Sequence, residues 1–160
     1  DNENDEEVYE DVDAVAIIKG SAKYPQIKGL VRFYQTNNGV YVVTNVTGLP
    51  EKTDDCSSPI FAFHIHSGDT CESRDNEPFS MSGTHYNPKG CPHPFHAGDL
   101  PVLLGNKGVA WCEFYTDRFY PEDVVGKTIV IHDMPDDFRS QPSGGAGEKI
   151  ACGVIRMGRE

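Results

Sequence analysis

At 160 residues and 17.7 kDa the chain has the length of one domain, enough to bury roughly two thirds of its unfolded surface around a single core. Its formal charge of −11 is unevenly placed: the first 13 residues hold eight Asp or Glu and no Lys or Arg, and the other 147 carry 14 basic and 17 acidic groups. That balance excludes a basic nucleic-acid footprint, and the lack of any apolar run approaching 18 residues excludes a membrane-spanning helix.

In chain order, residues 1–13 read as a solvated acidic arm, because so few apolar groups cannot offset the entropy of ordering them. Residues 14–160 read as the folded domain. Within it, short runs rich in Val, Ile and aromatic residues alternate with turn signals, and no stretch keeps a helical period for ten residues. The expected strands are 14–19, 27–35, 40–46, 60–66, 100–104, 109–115, 127–132 and 150–156. Asn37-Asn38-Gly39 supplies a hairpin turn between the second and third. Two long excursions, 67–98 and 133–148, are rich in Gly, Pro, Ser and Asp. The pattern predicts an all-β fold: an eight-stranded Greek-key sandwich or flattened barrel with two long functional loops on one side. Alternation along 109–115 puts Ala110, Cys112 and Phe114 inward and Trp111, Glu113 and Tyr115 outward. Trp111 and Tyr115 are then either a half-exposed patch or a contact in a homodimer.

The histidines carry the chemistry. All six sit in one pattern: His64 and His66 on an apolar run, His85 in a Gly-Thr-His-Tyr-Asn-Pro turn, His93, His96 with Asp99 three residues on, and His132. Residues i and i+2 of a strand face the same side, so His64 and His66 can reach one ion together. Burying both beside Phe61 and Phe63 would be costly without a partner. Six imidazoles and one carboxylate suffice for two metal sites that share one ring.

Five segments, FHIHSGDTC, GTHYNP, HAGDL, VIHDMPDD and GEKIACGVI, resemble in order, spacing and chemistry the motifs of the copper/zinc superoxide dismutase family, and the likeness runs from about Ala14 to Ile155. The resemblance implies one copper ion held by His64, His66, His85 and His132, and one zinc ion held by His85, His93, His96 and Asp99, with His85 bridging the two. It implies that Asp136 ties a copper ligand to a zinc ligand and that Cys71 and Cys152 form a disulfide. The implied reaction converts two superoxide anions and two protons into dioxygen and hydrogen peroxide through Cu(II)/Cu(I) cycling, with His85 holding and returning a proton.

Two departures from the family pattern stand out. Lys149 occupies the place of an arginine that docks the anionic substrate; it keeps the charge and loses the planar fork. The segment between His93 and His96 is reduced to Pro94-Phe95, and the loop before Lys149 is trimmed, so the zinc set departs further from the family pattern than the copper set does. Five cysteines without a C-x-x-C pair favour a structural disulfide outside the cytoplasm, and the missing initial Met fits a removed export signal. Cys56 and Cys91 have no family counterpart; whether they pair stays open. Rival readings are a non-catalytic copper-binding or chaperone module of the same fold, and a structural sandwich whose histidines are remnants.

Overall fold

The computed structural model describes residues 12–52, 56 and 59–158. The acidic segment expected to form an arm lies, through residue 11, outside the described residues. Val12 is buried, and Asp13 is tied to the body: its N–H donates to Phe33 O, and its carboxylate accepts the Gln35 N–H at 2.7 Å.

Nine strands form among the described residues: β1 (Ala14–Gly20), β2 (Lys28–Thr36), β3 (Gly39–Thr47), β4 (Ile60–Phe61), β5 (Phe63–His66), β6 (Leu103–Leu104), β7 (Ala110–Thr116), β8 (Thr128–His132) and β9 (Lys149–Met157). Seven of them make one antiparallel sheet in the order β5-β8-β9-β1-β2-β3-β7, which curls into a half-barrel. β4 and β6 pair separately. Because β6 lies against β7 and β4 runs on into β5, this ribbon bridges the two edges of the large sheet, which would otherwise expose unpaired backbone.

The all-β expectation holds, with two local differences. The fourth expected strand breaks at Ala62, whose N–H donates to Met134 O and whose carbonyl accepts the His132 N–H. The chain thus leaves β6 and joins β8, and the second long loop is tied to the same spot. The fifth strand shrinks to two residues because Pro101 has no N–H to give to a ladder. A short helix, α1 (Pro121–Val124), was not expected from the pattern; the Asp123 carboxylate accepts the Tyr120 N–H at 2.9 Å, and Val124 is fully buried.

The interior is one cluster to which each of the nine strands contributes, with Phe33, Phe61 and Phe63 as its largest members. Phe33 meets Phe119 edge to face, centroids 6.2 Å apart. On β7 the alternation is as expected: Ala110 is buried, Cys112 and Phe114 are half-buried against the core, and Trp111 and Tyr115 are exposed. Cys112, Cys56 and Cys91 are all free thiols. Cys71 and Cys152 form the disulfide, pinning the first long loop to β9. Closing a segment of 81 residues limits the unfolded chain by about 4 kcal/mol in the loop-entropy account.

Because Phe33 is completely enclosed, Phe33→Ala should cost about 3–5 kcal/mol of folding stability. Denaturant unfolding of the disulfide-intact protein checks this; a loss under about 1 kcal/mol would show that Phe33 is not central to the core.

Candidate metal centre

All six histidines converge in one cluster and all six are buried, as is Asp136; the Asp99 side chain is 3% exposed. The strand supplies the first pair. On β5 the alternation sends Phe63 and Ile65 into the core and leaves His64 and His66 on the opposite face. The first long loop then docks against β5 by backbone bonds: Ser67 N–H to Thr84 O at 2.7 Å, Tyr86 N–H to Ile65 O at 2.8 Å and Ile65 N–H to Gly98 O at 2.8 Å. These bonds deliver His85 and Asp99 beside the β5 pair, with bridges between His66 and His85 and between His64 and Asp99. Gly98 is required here, since a β-carbon would overlap Ile65 O. His132 ends β8, where a bulge after Ile131 turns it toward the cluster.

Hydrogen bonds to the outer nitrogens fix the rings. A carbonyl only accepts, so the Nδ1 atoms of His66 and His132 carry their protons toward Gly83 O (2.8 Å) and Gly147 O (3.3 Å). The Asp136 carboxylate accepts from His64 Nε2 at 2.7 Å with one oxygen and from His93 Nε2 at 2.8 Å with the other. The second of these oxygens also accepts the Phe138 N–H at 2.8 Å. Each ring is thereby left with an unprotonated nitrogen facing inward. Gly144 packs on this contact; a β-carbon there would overlap Asp136 Oδ1 and come within 2.7 Å of His93 Nε2.

The inner nitrogens form two groups. Ligand atoms of His64, His66, His85 and His132 lie within 4.8 Å of one another, as do those of His64, His85, His93 and Asp99. His96 falls outside that second set, yet its Nδ1 stands 3.2 Å from both His85 Nδ1 and Asp99 Oδ2. The Asp99 carboxylate is ringed by His85 Nδ1 at 2.8 Å, His93 Nδ1 at 3.0 Å and His96 Nδ1 at 3.2 Å. His85 is the hub: its ring centroid lies between 3.9 and 6.4 Å from each of the other five.

This arrangement fits cations rather than a self-satisfied polar core. His64 Nδ1, His85 Nε2 and His93 Nδ1 are buried without a hydrogen-bond partner, an expensive state for a polar atom. His66 Nε2 and His132 Nε2, both lone-pair nitrogens once Nδ1 is protonated, face each other at 3.3 Å. Only a positive centre relieves that repulsion. Burial keeps the imidazoles in the neutral form that a metal needs: it holds His64, His66 and His96 below the ordinary histidine range and pushes His132 down to about 3. For Asp99 burial acts upward, but the hydrogen bond from His85 and the surrounding rings outweigh it and the carboxyl is held low; Asp136 is held low in the same way by His64 and His93.

A depression of about 440 Å³ reaches the cluster, with His66, Gly83, His85, His96, His132 and Lys149 among its lining residues. The Lys149 ammonium donates to Ser82 Oγ at 2.8 Å, Gly83 O at 3.0 Å and Phe79 O at 3.4 Å. Burial lowers its pKa, and Glu77 opposes that shift. Gly83 O therefore serves both Lys149 and His66. Every residue predicted from the sequence to form the site is in this assembly. Pattern reading missed Gln141 and Arg118, which grip the His93–His96 backbone; their partners lie 48 and 22–24 positions away along the chain, so no local motif marks them.

The sequence profile of copper/zinc superoxide dismutase (SODC) matches residues 27–155. Superoxide dismutase (Cu-Zn) 2 of Aquifex aeolicus (strain VF5) is 34% identical over 146 aligned positions, covering 82% of this chain and 80% of that protein. The extracellular superoxide dismutase (Cu-Zn) of Rattus norvegicus is 31% identical over 143, and the chain spans 55% of its length. In fold the chain is similar to the Cu/Zn superoxide dismutase from Brucella abortus, with a TM-score of 0.72 at 23% identity, covering 88% of this chain and 98% of that one. The profile match over most of the domain and the one-third identity to curated relatives agree with the buried two-group histidine cluster, and the chain belongs to the copper/zinc superoxide dismutase family, whose members are oxidoreductases with copper and zinc as cofactors.

Proposed function

We propose that the chain dismutes superoxide at a centre in which His85 is shared by two ions. The observation that carries this reading is the position of the His85 ring, within reach of the five other imidazoles, with Nε2 buried and unpartnered and Nδ1 turned to Asp99 and His96. Copper would be held by His64 through Nδ1 and by His66, His132 and His85 through Nε2, the atoms their outer hydrogen bonds leave free. Four imidazoles with an open side suit Cu(II). Zinc would be held by the Nδ1 atoms of His85, His93 and His96 and by Asp99, a closed four-ligand set that suits Zn(II). His96 is preferred to His64 for zinc because Asp136 holds His64 by its Nε2 and leaves its other nitrogen to the copper group.

When bound, copper supplies one-electron chemistry that oxidises one superoxide to dioxygen and reduces a second to peroxide. The chain's own groups do the rest. His85 can hold a proton on Nε2 and give it up at the floor of the depression. Lys149, the cation beside that floor, attracts the anion by local field, and its ammonium is already oriented by three acceptors. Asp136 holds His64 and His93 in one tautomer each. The Cys71–Cys152 bond supports a location outside the reducing cytoplasm, and among the described residues no helix is long and apolar enough to cross a membrane. A copper-delivery module of the same fold is the second reading; the complete four-histidine copper set favours the enzyme.

Protein loaded with both ions should remove superoxide at a rate proportional to bound copper and lose that activity on chelation; a stable copper-loaded protein that leaves superoxide untouched would favour the delivery module. Lys149→Glu should lower the dismutation rate by about tenfold or more and invert its dependence on ionic strength, while Lys149→Arg changes it little. Pulse-radiolysis rates that ignore Lys149→Glu would remove Lys149 from the mechanism.

A further inference from the structure

Residues 87–96 carry His93 and His96 yet contain no strand or helix, and only Pro94 and Phe95 separate the two rings. Ligands on irregular backbone hold their positions only when something else fixes that backbone. Here the backbone is held by three side chains, two of them, Gln141 and Arg118, from outside the segment. The His93 N–H donates to Gln141 Oε1 at 2.9 Å, and Gln141 Nε2 donates back to His93 O at 2.7 Å. Arg118 Nη1 donates to Pro94 O at 2.8 Å and to His96 O at 3.1 Å. Asn87 treats Cys91 as Gln141 treats His93, accepting its N–H and donating to its carbonyl, both at 2.9 Å.

The Gln141 contact is specific in sense as well as in length. Its amide oxygen meets an N–H and its amide nitrogen meets a carbonyl, so a flipped amide would set donor against donor and acceptor against acceptor. The second long loop thus holds His93 at three atoms: Asp136 takes the ring at Nε2, and Gln141 takes the backbone N–H and carbonyl. What remains is Nδ1, which points toward Asp99. Gln141 is exposed and belongs to no core contact, so its two bonds to His93 contribute little to global stability.

We propose that Gln141, assisted by Arg118, is a positioning residue for the second metal ion, fixing the shortened His93–His96 turn in ligating geometry by its backbone. The inference rests on the assignment of zinc to His85, His93, His96 and Asp99. Its consequence is selective: loss of the clamp frees the His93 backbone and loosens zinc, while the copper donors on β5 and β8 stay in place.

The test uses the full chain carrying Gln141→Met, which keeps the length and removes both hydrogen-bonding ends, beside Gln141→Glu, which keeps the acceptor for the His93 N–H and loses the donor. Zinc affinity is read by competition with a chromophoric chelator, the site geometry by the visible bands of cobalt(II) placed there, and the copper site by its EPR spectrum at saturating zinc. Gln141→Met should weaken zinc by about 10- to 100-fold and shift the cobalt bands, Gln141→Glu should fall between it and the parent, and the cupric spectrum and the metal-free melting temperature should hold. Zinc affinity in Gln141→Met within about twofold of the parent, with His93→Ala abolishing it, overturns the proposal and leaves the zinc assignment standing. If His93→Ala leaves the cobalt spectrum unchanged, the assignment itself falls and the proposal with it.

Discussion

The site depends on one buried carboxylate. Asp136, with its side chain fully enclosed, accepts a hydrogen bond from His64 with one oxygen and from His93 with the other. One anion therefore sets the protonation of a ring on the rigid strand β5 and of a ring on the irregular first loop. The cost of removing a carboxylate from water is offset by the two imidazoles and the Phe138 N–H that donate to it. Because both imidazoles donate, each turns its lone pair inward, and two elements of different stiffness are brought to one centre. The glycine at 144 is what lets the second loop lie close enough to make this contact.

Around that link the fold divides the work. β5 and β8 supply His64, His66 and His132 from ordered, buried strands, whereas His85, His93, His96 and Asp99 come from the loop. On the proposed assignment the copper group is thus mostly scaffold and the zinc group mostly loop. Backbone pairing to β5 fixes the loop midway at Thr84–Tyr86 and near its end at Gly98–Asp99, the Cys71–Cys152 bond fixes its start, and side-chain clamps fix the stretch that carries His93 and His96. On the proposed assignment, a zinc segment with only two residues between ligands would take its precision from neighbours rather than from its own length.

Much of this was legible in the sequence, for physical reasons that can be named. Short runs rich in Val, Ile and aromatic residues between turn signals marked six of the eight expected strands nearly intact, and period-two alternation placed His64 and His66 on one face. The membership of both ligand groups, the Asp136 link and the Cys71–Cys152 pairing came from resemblance to a family; residue chemistry alone left them open. The break at Ala62 was not legible, because it depends on carbonyl and amide partners at residues 132 and 134. Likewise α1 is a single capped turn, too short to show a period. Gln141 and Arg118 are polar residues in polar loops, and their meaning exists only once distant backbone is brought to them.

The central claim is that two different ions share the ring of His85. Anomalous scattering at the copper and zinc edges from one crystal of the metal-loaded protein tests it most directly. The account predicts two peaks, a copper one against His85 Nε2 among His64, His66 and His132, and a zinc one against His85 Nδ1 among His93, His96 and Asp99. A single peak, or two peaks of which only one touches His85, would contradict it.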